Sequence, residues 1–141
     1  MGLQVFTQDW AENWKDEINK SELFRKYGAT WEWPLVMKMN ADPNIGLTEE
    51  RLVYLDLWHG ECREAREAKQ MDLETASYII SGDAHVWKKI LDRKLDSITA
   101  LMTRKTKLEK GNIMKLAKYT NASKYLVEAA THVSAEFPEG V

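Results

Sequence analysis

The order of secondary structure is set by one segment, Tyr78 to Met114, which reads YIISGDAHVWKKILDRKLDSITALMTRKTKLEKGNIM. Residues 76–80 include a Tyr and two Ile, a composition typical of a short strand. The turn Ser81-Gly82-Asp83 follows and offers side chains that can cap a helix. The next apolar residues share one helical face: Val86, Trp87, Ile90 and Leu91.

The second half of the segment predicts a short helix and then another strand. Asp96 can cap the short helix, and its inner side would carry Ile98, Leu101 and Met102. Lys105 to Glu109 alternates between polar and less polar residues, as a strand does. From Asn112 the pattern is helical again. The segment therefore predicts the order strand, helix, short helix, strand, helix.

These residues resemble the sterol carrier protein 2 family of small sterol- and lipid-binding domains. The resemblance lies in Ile80-Ser81-Gly82-Asp83 before a helix with Trp87, in the run from Lys94 to Met102, and in the run from Lys105 to Leu116. The chain departs from the family pattern at Ser97, where Pro is usual, at Arg104, where Gly is usual, and at Asn112 after Gly111. A weaker similarity from Leu55 to Gly60 extends the match, and the chain is identified as a stand-alone, prokaryote-like member.

The resemblance implies an α+β fold and a lipid-binding function. We expect one domain over residues 1–141, with a five-stranded, mostly antiparallel sheet, helices covering one face, and an apolar cavity between them. The cavity would hold a fatty acid, fatty acyl-CoA or sterol-like molecule without catalysis, and a charged residue at Leu101 or Met102 would abolish binding. The residues expected to line it are Val53, Leu55, Leu57, Trp87, Ile98, Leu101, Met102, Ile113, Met114, Leu116 and Ala117. A carboxylate or phosphate head group would rest near Lys105, Lys107, Lys110 or Lys115.

The predicted sheet has five strands. The first two strands are residues 32–40 and 51–59, and the fourth and fifth are 73–80 and 105–109. Residues 61–69 are ambiguous, because Glu, Ala and Arg favour a helix whereas the family favours a third strand in a meander. We follow the family and predict a strand.

Helices are predicted at both ends of the chain. Trp10, Trp14 and Ile18 recur every four residues and indicate a stripe of core packing. Ser21 can cap a second helix that ends at Gly28, with Leu23, Phe24 and Tyr27 facing inward. At the other end, Asn121 or Ser123 can cap a last helix.

Composition favours a globular protein of the cytoplasm. Apolar residues make up 44% and charged residues 30% of the chain, and the single cysteine, Cys62, excludes an internal disulfide. We expect no signal peptide and no membrane span. The three histidines lie far apart and no metal-ligand spacing occurs, so no metal or cofactor is predicted.

The net charge of −2 is unevenly distributed. Residues 88–124 hold eleven Lys or Arg and three Asp or Glu, a local balance of +8. This basic segment could be solvated helix surface or could make transient contact with an anionic membrane. Nucleic acid is not predicted as a partner, because the aromatic residues lie mostly far from this segment. The oligomeric state is left open, with a dimer as one alternative.

Two other classes of function remain open. In the first, the chain is an interaction or regulatory module that meets a partner through exposed tryptophans. In the second, it is an enzyme that uses the cavity. Asp56, within an apolar strand, or His59 would then act as the base. His59 and Cys62, three residues apart, could separately form a nucleophile pair.

Overall fold

A central sheet of five strands organises the computed structural model, which describes residues 2–141. The strands lie in the order β4-β3-β2-β5-β6, and they are β2 (Glu32–Met39), β3 (Arg51–Trp58), β4 (Glu61–Glu67), β5 (Tyr78–Gly82) and β6 (Lys107–Lys110). Neighbouring strands are antiparallel except for the central pair β2 and β5, which are parallel. A separate two-residue pair joins β1 (Leu3–Gln4) to β7 (Ala135–Glu136). The predicted α+β fold with a mostly antiparallel sheet is confirmed.

Seven α-helices accompany the strands in residues 2–141. They are α1 (Gln8–Lys20), α2 (Glu22–Tyr27), α3 (Gln70–Thr75), α4 (Ala84–Leu91), α5 (Ser97–Met102), α6 (Ile113–Ala117) and α7 (Thr120–Ala130), and a 3₁₀ turn spans Pro43–Ile45. The main core lies between these helices, α3 excepted, and one face of the sheet. On that face Leu35 pairs with Leu55 and Met37 with Val53 in the register of β2 and β3.

Residues 61–67 form a strand, although their composition favours a helix. His59 and Gly60 both have positive φ, at 49° and 82°, which is the backbone of a two-residue hairpin turn. This turn returns the chain alongside β3, and inward-facing Cys62 and Ala65 are buried on the core side. Tertiary pairing therefore overrides local propensity here.

The predicted strand over residues 73–80 is wrong in its first half, because residues 70–75 form α3 and β5 begins at Tyr78. Asp72 explains the helix. Its carboxylate accepts a hydrogen bond from the Lys69 backbone N–H at 2.7 Å and binds Arg66 with both oxygens, at 2.6 and 2.9 Å. Helix α3 crosses the second face of the sheet, where Leu73 packs against Val36 and Ile79. The fifth strand begins two residues later than predicted, at Lys107.

The N-terminal helices follow the predicted pattern only in part. Trp10, Trp14 and Ile18 are buried as expected, and the Ser21 side chain caps α2 by accepting from the Phe24 N–H. Leu23 and Tyr27 were predicted to face inward but are 43% and 37% exposed. Helix α2 has less than two turns, so one position, Phe24, is enough to anchor it in the core.

The last helix begins earlier than predicted. Helix α7 starts at Thr120 after Tyr119, so neither Asn121 nor Ser123 is its cap. Ser123 instead lies one turn into the helix and is buried.

Candidate functional site

An apolar cavity of about 40 Å³ lies between the sheet and the helices. Its floor is formed by the central parallel strands, with Leu35 and Met37 from β2 and Ile80 from β5. Its roof comes from the short helices α4, α5 and α6 and from α7, while Trp14 and Trp31 close one side. In the part of the chain that the structure describes, none of the residues lining the cavity is charged. The space therefore suits an uncharged apolar group.

Four of the eleven predicted lining residues border this cavity: Trp87, Ile98, Leu101 and Leu116. Helix α5 presents Ile98 and Leu101 inward because they are three residues apart on one helical face. Trp87 is fixed by a hydrogen bond from its indole N–H to the Lys38 carbonyl at 2.9 Å.

The other seven predicted residues lie elsewhere. Val53, Leu55 and Leu57 are fully buried on the same face of the sheet, but they pack in solid core under α1, which covers β3 and β4. Met102 and Met114 are at the surface, with 59% and 71% of each residue exposed. Ile113 and Ala117 are half-buried and do not border the cavity. Helices α5 and α6 span fewer than two turns each, so each buries one narrow face and leaves its remaining apolar residues outside.

The floor of the cavity was not predicted from the sequence. Leu35 and Met37 lie two residues apart and share one face of β2, but Val36 between them is buried on the opposite face, so burial does not alternate here. Only the strand order shows that β2 and β5 lie beneath the roof. Trp14 and Leu126 were also missed. They come from distant helices, and the Trp14 indole N–H donates to the Leu126 carbonyl at 3.0 Å.

The tryptophans mainly serve the interior. Of the six, all of which lie in residues 2–141, Trp10, Trp14, Trp31, Trp33 and Trp87 are at most 5% exposed, whereas Trp58 is 37% exposed. Trp31 stacks on Trp33 with ring centroids 4.6 Å apart. The indole surface available to a protein partner is therefore confined to Trp58, which the Arg63 guanidinium partly covers at 4.6 Å from the ring centroid.

A surface groove of about 170 Å³ adjoins the cavity. Ile90, Ser97 and Val127 line both spaces, so these three side chains form the wall between the cavity and the groove. The charged residues Arg93, Asp96 and Lys124 also line the groove. The three side chains of the wall separate the cavity from the surface groove at this point, so moving them would open the cavity to solvent.

The lysines predicted to hold a head group are outside the cavity. Lys105 and Lys107 are exposed. Lys110 donates to the carbonyls of Leu73 and Glu74 at 2.7 and 2.9 Å, and the Lys115 ammonium lies 4.6 Å from the Trp33 ring centroid. Two of the four lysines are thus already engaged by the protein.

The candidate catalytic groups Asp56, His59 and Cys62 do not line the cavity, and each is bound to another residue. Burial raises the pKa of the Cys62 thiol to about 12, and this thiol donates to the Glu64 carbonyl. The Asp56 carboxylate binds the Arg63 guanidinium at 3.0 and 3.1 Å. His59 pairs with Glu32 at the exposed end of the hairpin. A protonated, buried thiol is a poor nucleophile, and its neighbour His59 is bound elsewhere.

No helix within residues 2–141 combines the length and the hydropathy needed to cross a bilayer.

Comparison with known proteins places the chain in a family. The model of the SCP-2 sterol transfer family matches residues 16–124. A crystal structure of sterol carrier protein 2 is 36% identical, with a TM-score of 0.83 over 93% of this chain and 100% of that one. The solution structure of a conserved hypothetical protein from Thermus thermophilus is 35% identical, with a TM-score of 0.85 over 96% of this chain and 93% of that one.

More distant structures share the fold. The apo form of sterol carrier protein 2 from Yarrowia lipolytica is 16% identical, with a TM-score of 0.61 over 93% of this chain and 98% of that one. No curated protein matches the chain. The resemblance noted from residues 78–116 is confirmed by the family match and by the two structures of higher identity. The chain belongs to the SCP-2 sterol transfer family, a family of lipid-binding domains.

Proposed function

We propose that the protein binds a lipid chain in the cavity between the sheet and the roof helices, acting without catalysis as one domain over residues 1–141. The candidate ligands are a fatty acid, a fatty acyl-CoA or a sterol-like molecule, and the protein would carry the ligand between membranes. The observation that supports this is an uncharged cavity, walled mostly by apolar side chains, in a member of a lipid-binding family. Each methylene removed from water contributes about 0.8 kcal/mol, so a long chain needs few polar contacts.

Binding requires the cavity to open. Its volume of about 40 Å³ is far below the roughly 300–1,000 Å³ of typical ligand pockets. The roof helices α4, α5 and α6 have eight, six and five residues, and helices shorter than about 12 residues depend on packing for their stability. The roof therefore moves more readily than the sheet, and a chain would enter at the wall formed by Ile90, Ser97 and Val127.

The test is to look for lipid in the purified protein and then to measure uptake of a fluorescent fatty-acyl probe. Mass spectrometry after solvent extraction should find a fatty acid, acyl-CoA or sterol-like species in stoichiometric amount. Leu101→Gln should weaken probe binding, because Leu101 lines the cavity. Met102→Gln is the matched control. Met102 follows Leu101 in the sequence, but its side chain faces solvent, so probe binding should be unchanged. A protein that is free of lipid and takes up no probe would refute the proposal.

We also propose that the basic segment, residues 88–124, makes transient contact with an anionic membrane. Met102 and Met114 are exposed on this segment and are followed in the sequence by Arg104 and Lys115. Apolar side chains beside cations suit an interface that combines insertion with attraction to anionic lipid. Cosedimentation should show stronger binding to vesicles with phosphatidylserine than to phosphatidylcholine alone. The double variant Met102→Glu, Met114→Glu should lose this binding, and equal binding of variant and wild type would refute the proposal.

We propose the cytoplasm as the site of action. The one cysteine is free and buried, which suits a reducing compartment.

A further inference from the structure

Two hydroxyl groups at the cavity are unusual because they are buried without a hydrogen-bond partner. Within residues 2–141, the Thr106 Oγ1 and the Ser97 Oγ have no protein partner, although both residues line a mostly apolar space together with Ser123. Thr106 is only 4% exposed. Most buried polar groups in proteins are satisfied, so an unpaired one calls for an explanation.

The position of Thr106 is fixed by its surroundings. Its backbone N–H donates to the Ala100 carbonyl at 3.1 Å, which holds the residue against the end of α5. Its methyl carbon Cγ2 packs against Gly82, so closely that a Cβ added to Gly82 would lie only 3.0 Å from it. With the methyl branch held there, the hydroxyl branch is left to face the cavity.

The geometry points to Thr106 as the polar anchor of the ligand, assisted by Ser97, and to a ligand whose polar group is uncharged. A hydroxyl can both donate and accept, so it matches an alcohol or an ester carbonyl. Since no charged residue in the described chain lines the cavity, an ionised carboxylate beside Thr106 would be buried without a counter-charge, which is strongly unfavourable. This inference rests on the proposed function and selects, within it, long-chain alcohols and esters over ionised fatty acids.

The experiment compares three competitors against a pyrene-labelled alkane at neutral pH: hexadecan-1-ol, methyl hexadecanoate and hexadecanoate. Wild-type protein should bind the alcohol and the ester at least about tenfold more tightly than the carboxylate. Thr106→Val keeps the shape but removes the hydroxyl. It should reduce affinity for the alcohol and the ester, relative to affinity for the pyrene-alkane, by about 3- to 10-fold, the range of one lost hydrogen bond. Thr106→Ser should retain the preference. The control Thr103→Val alters an exposed threonine and should change none of the affinities.

Stability gives an independent readout. Replacing an unpaired hydroxyl by a methyl group of similar shape should raise the Tm of the ligand-free protein, by about 3 °C or more. A fall in Tm would mean that the hydroxyl is satisfied, by a buried water for instance, and would overturn the inference. Equal affinity of Thr106→Val and wild type for hexadecan-1-ol would also overturn it while leaving lipid binding intact. If the pyrene-alkane does not bind the wild-type protein at all, the proposed function itself fails.

Discussion

Truncation of Leu101 to alanine should weaken the ligand-free protein and strengthen lipid binding. Leu101 is 6% exposed and lines the cavity from α5. Leu-to-Ala changes at buried positions destabilise proteins by about 2–5 kcal/mol, because apolar burial is lost and a void remains. We expect about 3 kcal/mol, since a narrow cavity already adjoins the side chain.

The gain in affinity follows from the small size of the closed cavity. A lipid must displace part of the packing around Leu101 in the wild-type protein, and the variant has already lost that packing. The ligand chain then fills the space that truncation leaves. If it recovers half of the expected 3 kcal/mol, the Kd falls by about tenfold. Because the open cavity costs less free energy in the variant, the equilibrium shifts toward the binding-competent state.

The assay is urea unfolding with and without a fatty-acyl probe, combined with direct titration of the probe. Leu57→Ala is the matched control. Leu57 is fully buried on the same face of the sheet but does not line the cavity, so its truncation should cost a similar stability without a gain in affinity. If Leu101→Ala is destabilised as expected but binds the probe no more tightly than wild type, the ligand does not occupy the space beside Leu101. If Leu57→Ala also binds the probe more tightly, the gain in affinity comes from general loosening of the core and not from the space beside Leu101.

Three further predictions concern stability and reactivity. Hydrogen bonding to Arg66 lowers the pKa of Asp72, so its stabilising effect is complete above the ordinary value of 3.8 and is lost as pH falls through the lower folded-state pKa. Asp72→Asn should therefore cost about 1.5–3 kcal/mol in denaturant unfolding at pH 7, and its deficit should shrink below about pH 4; a deficit independent of pH would contradict this. Cys62 should resist a disulfide reagent at pH 7 until the protein unfolds, because burial raises its pKa to about 12, and rapid labelling of the native state would count against that burial. Gly60→Ala should be more destabilising than Gly46→Ala, although φ is positive at both, 82° and 81°. A Cβ at Gly60 would lie 2.5 Å from the Arg25 carbonyl oxygen, whereas no atom from a non-adjacent residue of the described chain would lie within 4 Å of a Cβ at Gly46. Equal Tm values for the two variants would show that this close approach is unimportant.

Most of the element order could be read from the chain because its local signals agree with one another. The helix after Ser81-Gly82-Asp83 and the tryptophan stripe of α1 follow from apolar periodicity. Helix α5 also has its predicted cap, because the Asp96 side chain accepts from the Thr99 N–H. Residues 70–75 were not predicted as a helix because the Asp72 carboxylate that caps it is held by Arg66, which lies six residues earlier, on β4.

The residues that border the cavity could not be identified from local sequence patterns, because they come together only through contacts between distant parts of the chain. By itself, the sequence determined the family, the sheet with its covering helices, and an inward face on α5 at Ile98 and Leu101. Only the tertiary structure decided that the floor is β2 with β5, that Leu57 lies in solid core, and that Met102 faces solvent. The physical reason is that hydrophobicity marks a residue for burial without specifying its neighbours. Whether a buried side chain meets another side chain or an open space depends on how strands and helices distant in sequence pack together.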